Sequence, residues 1–316
     1  MQIFDVIIIG GGPAGLNAAV VLGRCRRSVL LFDTAQYRNR WSHGMHNYLT
    51  RDDVDPGEFI AISRKEIAKY GVETSSEKIV HARRNEEALF VVRDEKGSVY
   101  TSRKLLVATG LIDKVPAIEG FAEMYGKSVH HCPYCDGWEA KDQKLGVYAR
   151  EKDGSELALA LKGWSDKVTL YTDGKDKLKP AQKQNLYANN IPIVKLSIAR
   201  LQGNDGQLEK IIFKNGEEQE CHTLFFVNGF DQQCNLFETF GCQVSKKGVV
   251  VTNRYQQTET PGLYVAGDAA RDMHFVVVAA AEGAKAGVMI NKELQKEIGE
   301  AMLAASKLRN PELAQS

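Results

Sequence analysis

The 316-residue sequence has no apolar run approaching the roughly 20 residues that span a bilayer, so no membrane partner is expected. It also lacks charge of one sign. Lys and Arg total 41 against 40 Asp and Glu, for a formal net charge of +1. That balance announces no nucleic-acid partner and no surface for acidic partners. The start of the chain has neither a basic n-region nor a cleavage site, and its short apolar run, Val6-Ile7-Ile8-Ile9, reads better as a strand. A cytoplasmic location is expected. Six cysteines over this length make no disulfide framework, and four of them, Cys25, Cys221, Cys234 and Cys242, are scattered. Each of the four reads as a small core or surface residue. In a reducing compartment the remaining pair, Cys132 and Cys135, is a redox or metal candidate. Repeats and low-complexity tracts are absent, and the length allows two domains, each with its own core.

What is present begins with a nucleotide-binding pattern. Asp5 to Ile9 is a continuous apolar run of the kind buried in a parallel sheet. Gly10-Gly11-Gly12-Pro13-Ala14-Gly15 follows, then small and apolar residues run as a helix to about Cys25. The Arg24, Arg26, Arg27 cluster at its end complements the helix dipole. A second strand, Val29 to Phe32, ends at Asp33. Gly10, Gly12 and Gly15, with Pro13 and Ala14 between, permit a tight turn and close approach of a pyrophosphate. The helix N-terminus takes the phosphate charge, and Asp33 can bind ribose hydroxyls. A strand ending in Ala108-Thr109-Gly110, and another ending in Gly267-Asp268 before an alanine-rich helix from about Val276, complete the set. Ala88 to Ser102 reads as a hairpin around Glu95-Lys96-Gly97, and Lys144 to Thr172 as strand, helix, strand.

Residues 130–136 read His-His-Cys-Pro-Tyr-Cys-Asp. Two sulfurs three residues apart close a small ring, so the pair can exchange dithiol for disulfide if a thiolate is available. A following helix N-terminus, the imidazoles of His130 and His131, and Asp136 would tune it; His274 is a further candidate base. The rival is zinc, for which one histidine and two cysteines give three ligands. No second Cys/His pair lies at finger spacing, and Cys221-His222 is some ninety residues away. No metal is therefore assigned. Trp138 and Trp164 read as packing residues, with Trp138, close to the cysteines, the first candidate contact should a second flavin or an electron-transfer partner dock.

The Ala108-Thr109-Gly110 and Gly267-Asp268 motifs resemble the FAD-binding domain of two-dinucleotide flavoprotein disulfide reductases. With Cys132-Pro133-Tyr134-Cys135-Asp136-Gly137 added, nearly the whole chain resembles the low-molecular-weight thioredoxin reductases. The resemblance implies an α/β protein of two Rossmann-like, three-layer ββα dinucleotide-binding domains and a homodimer. FAD would lie in a discontinuous domain of residues 1–117 and 243–316, with Asp268 on its ribityl or phosphate region. The inserted domain, residues 118–242, would carry the redox pair. Cys135 would face the flavin, Cys132 would exchange with an outside dithiol or disulfide, and Asp136 would move the proton. The partner would be a thioredoxin-like protein or a small molecule.

The sequence departs from that family at three places. The second glycine motif falls on Ala149-Arg150-Glu151, and the element holding the NADPH 2′-phosphate falls on Thr172-Asp173-Gly174. Both lack what a pyridine nucleotide needs, so a degenerate domain and independence of NADPH are expected. The pair after Gly267-Asp268 aligns with His274-Phe275, and the loop from Tyr37 to Asn47 is unlike that of the reductases, although Asn47 falls where the family keeps an asparagine near the isoalloxazine. These features resemble the dithiol oxidases that close the disulfides of gliotoxin and holomycin, and relatives that use ferredoxin or a second flavin. The expected function is passage of electrons between FAD and a dithiol or disulfide through Cys132 and Cys135, with an NADPH-dependent thioredoxin reductase as the alternative.

Overall fold

In the computed structural model, which describes residues 2–175 and 177–309, the chain opens with β1 (Ile3–Ile9), α1 (Pro13–Arg24) and β2 (Val29–Phe32). There follow α2 (Pro56–Ala68), β3 (Glu73–Ser75), β4 (Ile79–Arg84), β5 (Phe90–Asp94) and β6 (Val99–Val107). Next come β7 (Leu111–Asp113), α3 (Phe121–Met124), β8 (Val129–His130), α4 (Pro133–Asp136), β9 (Leu145–Ala149), α5 (Gly154–Leu161) and β10 (Val168–Tyr171). Then α6 (Pro180–Ala188), β11 (Ile193–Val194), β12 (Ile198–Asn204), β13 (Gln207–Phe213), β14 (Glu218–Glu220), β15 (Thr223–Val227) and β16 (Phe230–Gln232) lead to β17 (Leu263–Val265) and α7 (Val276–Arg309). From Leu303 onward the sequence reads as a helical end and a loose polar tail; α7 runs to Arg309, and the rest lies outside the described residues.

The chain divides into two compact units. The first comprises Met1–Tyr37, Gly57–Leu111 and Gln232–Ser316, and the second Arg38–Pro56 and Ile112–Asp231. The sequence places these crossings at 117/118 and 242/243, several residues later. Packing explains the difference: Val115 and Ile118 join an apolar core of the second unit, whereas Leu236 and Phe237 are buried in a core of the first. The segment from Arg38 to Pro56, which the sequence assigns to the FAD half, groups with the second unit.

In the first unit the strands run β3-β2-β1-β6-β5-β4, with β17 also pairing β6. β1 is parallel to β2 and β6, and β17 is parallel to β6. β5 and β6 form the expected antiparallel hairpin. Val6 and Ile8 face one core, with α1 and α7, and Ile7 and Ile9 face another, with Phe90, Phe237 and Val265. Burial on both faces is why this strand is apolar without alternation. At the end of α1, the Arg26 amide donates to the Gly23 carbonyl (2.8 Å) and the Arg27 amide to that of Leu22 (3.1 Å). This paired closure ends the helix, and Arg24 and Arg27 then bond Tyr70 and Asn291.

The second unit has a parallel five-stranded sheet, β11-β10-β9-β15-β8, and a three-stranded antiparallel sheet, β12-β13-β14. Tyr148, Tyr171, Leu224 and Phe226 of the larger sheet share a core with Ile198, Leu201, Ile211 and Phe213 of the smaller. Val147, Leu170 and Phe225 share the other core with α5 and α6 residues. Helix, sheet and sheet thus make the three layers. Among the described residues no helix is long and apolar enough to cross a membrane.

Candidate functional site

In the first unit, β1, β6 and β17 end together. Ile9 is paired with Val107, Val265 with Val107, and the Ala108 amide donates to the Ile9 carbonyl at 2.8 Å. The turns at Gly10, Ala108 and Gly267 therefore share the carboxyl edge of the sheet, where open α/β sheets bind their ligands. Gly10 has φ +111°, and a Cβ there would lie 2.3 Å from the Ala108 carbonyl oxygen. A Cβ at Gly15 would lie 1.9 Å from the Gly10 carbonyl oxygen, so α1 starts hard against the turn. Its N-cap, Gly12, offers no side-chain cap, and Pro13 begins the helix. The first amides are left for a ligand, and open space lies beside Gly12.

Asp33, at the end of β2, is buried beneath this turn. Its Oδ1 accepts from the Ala35 amide at 2.9 Å, and its Oδ2 accepts from the Tyr37 hydroxyl and from Arg64 Nη2, the latter at 2.6 Å. Three of the roughly four lone-pair positions of a carboxylate are thus used within the protein, leaving about one for a ribose hydroxyl. Arg64 and Tyr37 had no sequence signal as its partners. Thr109 Oγ1 is 3.3 Å from Cys234 Sγ. Beyond β17, Gly267 and Asp268 begin a short 3-10 turn, and the Gly267 amide donates to Glu282 Oε2 at 3.1 Å. Glu282 in turn pairs with Arg271. His274 Nε2 is 2.8 Å from the Arg271 carbonyl oxygen and belongs to the first unit, whereas both redox cysteines belong to the second. The uncapped helix start, the open side of Gly12 and the single remaining acceptor position on Asp33 fit a dinucleotide such as FAD.

In the second unit, β8 delivers His130 and His131, and Cys132 is the extended N-cap of the four-residue helix α4. Pro133 suits the first helical position because its missing N–H would be unpaired anyway. One turn then carries Cys135 back, so that its Sγ lies 2.6 Å from Cys132 Sγ. Both are half-buried free thiols. The Cys135 thiol donates to Cys132, which holds the Cys132 thiol below its ordinary value against the opposing effect of burial; the Cys135 and Tyr134 amides help. Cys135 is driven upward, first by giving that hydrogen bond and then by burial. The two thiols are thereby pushed in opposite directions, Cys132 down and Cys135 up.

Around them, His130 Nδ1 is 3.2 Å from Asp136 Oδ1, and the His130 ring, buried, lies 5.7 Å from that of Phe225. His131 Nδ1 is 3.8 Å from Asp113 Oδ2. Asp113 is gripped by Arg38, Nε to Oδ2 at 2.8 Å and Nη2 to Oδ1 at 2.5 Å, and its Oδ2 accepts from the Tyr125 hydroxyl at 2.5 Å. Burial opposes the Asp113 charge, but Arg38, His131 and Tyr125 together hold its carboxyl down at about 2. Asn47 Nδ2 donates to the Tyr134 carbonyl at 2.7 Å, inside the redox turn. Trp164 packs edge-on to Tyr134 at 5.7 Å. Trp138, expected to pack, is instead 67% exposed with Lys141 Nζ 3.8 Å above its ring. Arg38, Asp113 and Tyr125 belong to no motif, and only the fold brings them to the cysteines.

The segments expected to be degenerate lie at the ends of β9 and β10. Arg150 Nε is 3.8 Å from Asp173 Oδ2, and Glu151 pairs with Lys177 at 2.5 Å. Asp173 also accepts from the Ile198 amide (2.9 Å) and the Tyr148 hydroxyl (3.2 Å). Buried Thr172 Oγ1 has no hydrogen-bond partner among the described residues. Among those residues no three His, Cys, Asp or Glu side chains gather as a metal-holding group.

A family model described as pyridine nucleotide-disulphide oxidoreductase matches residues 4–283. Thioredoxin reductase tcpT of Claviceps purpurea (strain 20.1) is 31% identical, over 94% of this chain and 96% of its own. The crystal structure of HlmI matches with a TM-score of 0.93 at 33% identity, covering 97% of each chain. That of TrxB from Bacillus anthracis matches with a TM-score of 0.89 at 34% identity, covering 93% of this chain and 99% of its own.

Proposed function

The chain belongs to the pyridine nucleotide-disulphide oxidoreductase family, and from that premise we propose that it passes electrons between FAD and a dithiol or disulfide substrate through Cys132 and Cys135, without NADPH. The observation that carries this reading is the pair of free thiols 2.6 Å apart, preceded in the chain by His130 and His131, each paired with a carboxylate. FAD would be held by Gly10, Gly12, Pro13, Ala14, Gly15, Asp33, Ala108, Thr109, Gly110, Gly267 and Asp268. When bound, it supplies the two-electron store that resets the cysteines.

In the oxidising direction a substrate thiolate attacks Cys132 Sγ of the Cys132–Cys135 disulfide. A new S–S bond forms, the old one breaks, and Cys135 leaves with the electron pair. The second substrate thiol loses its proton to a neighbouring imidazole and attacks the substrate sulfur of the mixed disulfide, releasing Cys132. The substrate leaves as a disulfide, two electrons poorer, and the protein holds a dithiol. Reversing these steps reduces a disulfide. The lower value of Cys132 suits it to be the exchanging sulfur, and Asp136 keeps His130 oriented for proton transfer. His274, in the first unit, is assigned no step. Asn47 serves the redox turn by holding the Tyr134 carbonyl.

Independence of NADPH is supported at the ends of β9 and β10. Arg150, Glu151 and Asp173 are spent on one another, on Lys177 and on backbone, and the carboxylates there disfavour a 2′-phosphate. The outside electron partner is then oxygen, ferredoxin or a second flavin. The same reading includes a homodimer, a thioredoxin-like protein or small-molecule dithiol as substrate, and a cytoplasmic location. The test is anaerobic flavin absorbance on adding NADPH, NADH and then a dithiol. Bleaching by the dithiol alone is expected. Prompt bleaching by NADPH would overturn the nicotinamide-independent part and leave a thioredoxin reductase of the kind its relatives' names describe.

A further inference from the structure

A dithiol that gives up two electrons to a disulfide also gives up two protons, and near neutral pH most thiols still carry theirs. One base cannot take both before it is cleared. The second unit supplies two histidine–carboxylate pairs next to the cysteines, and they differ in exposure. The His130 side chain is 10% exposed beside Asp136, whereas that of His131 is 32% exposed beside Asp113. His131 is the one an incoming thiol can reach. Asp113, 5% exposed, cannot turn away from it, because Arg38 holds both carboxylate oxygens and Tyr125 the second of them. At 3.8 Å the contact is a charge pair rather than a hydrogen bond, and a carboxylate fixed at that distance favours the protonated form of the imidazole.

We propose that Asp113, locked by Arg38 and Tyr125, acts through His131 as a fixed charge that favours its taking the proton of a substrate thiol, while His130 and Asp136 serve the protein's own sulfurs. The inference rests on the dithiol–disulfide reading above. The first substrate thiol passes its proton to His131 as its sulfur bonds Cys132, and the Cys132–Cys135 bond breaks with its electron pair on Cys135. The second thiol gives its proton to His130, which passes it to the Cys135 thiolate, and its sulfur bonds the first substrate sulfur, as the bond to Cys132 breaks with its electron pair on Cys132. Two electrons move from substrate to the protein disulfide, and two protons move to the groups around it. The charged and titratable groups about His131 include Arg38 from segment 38–56, Asp113 from β7, Tyr125 from the turn before β8, and His130, Cys132, Cys135 and Asp136 around the redox turn.

The experiment is anaerobic stopped-flow bleaching of the flavin-loaded protein by dithiothreitol from pH 5 to 9, for wild type, Cys132→Ser, Asp113→Asn and Tyr125→Phe. Each rate is divided by the wild-type rate at the same pH, which cancels the ionisation of the probe. Removing the Asp113 charge makes protonated His131 less stable, so the acid limb of Asp113→Asn moves down, by about one pH unit or more. Tyr125→Phe frees Asp113 Oδ2 of a competing donor, so its acid limb moves up by a smaller amount. A merely structural role lowers the rates without opposite displacements. If wild type bleaches and Cys132→Ser does not, but the ratios are flat with pH, Asp113 does not act through a base and the inference is overturned while the dithiol reading stands. If Asp113→Asn does not fold, Tyr125→Phe decides. If dithiothreitol does not bleach wild type, the dithiol reading itself fails.

Discussion

Replacing Asp113 by Asn also tests the clamp as a source of stability, with a sign that can be worked out in advance. The ordinary value of 3.8 falls to about 2 in the folded protein. At about 1.4 kcal/mol per pH unit, that difference makes the ionised carboxylate worth about 2 kcal/mol to the folded state. Because the folded value is the lower one, the contribution is complete above about pH 4 and disappears as pH falls through about 2. Asp113→Asn removes it at every pH. The variant also leaves the Arg38 guanidinium, 14% exposed, without its counter-charge, which raises the loss at neutral pH to about 3–5 kcal/mol.

The assay is urea unfolding followed by tryptophan fluorescence. Trp41, Trp138 and Trp164 are the three tryptophans of the chain, and all lie in the second unit, so the signal reports on the unit that contains the clamp. Other carboxylates titrate in the same range, but they are common to both proteins and cancel in the difference. The gap between wild type and Asp113→Asn should be largest at pH 5 to 7 and should close by about 2 kcal/mol between pH 4 and pH 2. A gap that stays constant across that range would show that the Asp113 carboxyl is not held down by Arg38 and Tyr125, and the reasoning would be wrong.

Alkylation by iodoacetamide at pH 7, read by mass spectrometry of the reduced protein, should modify Cys132 well ahead of Cys135 and of Cys221, whose burial pushes its thiol up to about 12; equal rates would refute the inequality of the redox pair. Gly15→Ala should cost tenfold or more in FAD retention, read as the ratio of flavin to protein absorbance after dialysis, because the added Cβ would lie 1.9 Å from the Gly10 carbonyl oxygen and must push α1 off the turn.

Regular elements with one dominant physical cause were legible in the sequence. β1 is an unbroken apolar run because it has a core on each side. α1 begins where Gly12-Pro13 makes an uncapped turn cheap, and α7 begins at Val276 as the alanine-rich stretch suggested. The redox turn was legible too, since Cys-Pro-Tyr-Cys carries its spacing with it. What was not legible is whatever depends on distant pairing. Arg38 and Asp113 are 75 positions apart, in segments without motif or periodicity, and nothing local hints that Asp113 needs a partner. Arg64 lies 31 positions from Asp33, hidden in an amphipathic helix where a cation is ordinary. Trp138 looked like core by residue type, yet a tryptophan can lie on the surface when a lysine covers its face.

On the nicotinamide-independent reading, the packing of the second unit explains how a dinucleotide fold can outlive its ligand site. The side chains that hold β9 in the sheet, Leu145, Val147 and Ala149, are buried with α5, α6 and β10, and parallel pairing with β10 and β15 runs without a shift along the strand. None of this requires a nucleotide. The residues that would meet one begin at Arg150, past the last paired position, where side chains answer to solvent and to each other. Substitutions there leave the core residues untouched, and an exposed pair such as Glu151–Lys177 contributes only about 0–1 kcal/mol either way. The redox turn is under the opposite constraint. Its cysteines depend on Asp113, Arg38, Tyr125, Asp136 and Asn47, drawn from four separate stretches of the unit, so the whole second unit must fold to keep two sulfurs unequal. On the nicotinamide-independent reading proposed above, retention of that unit is explained by the cysteines alone.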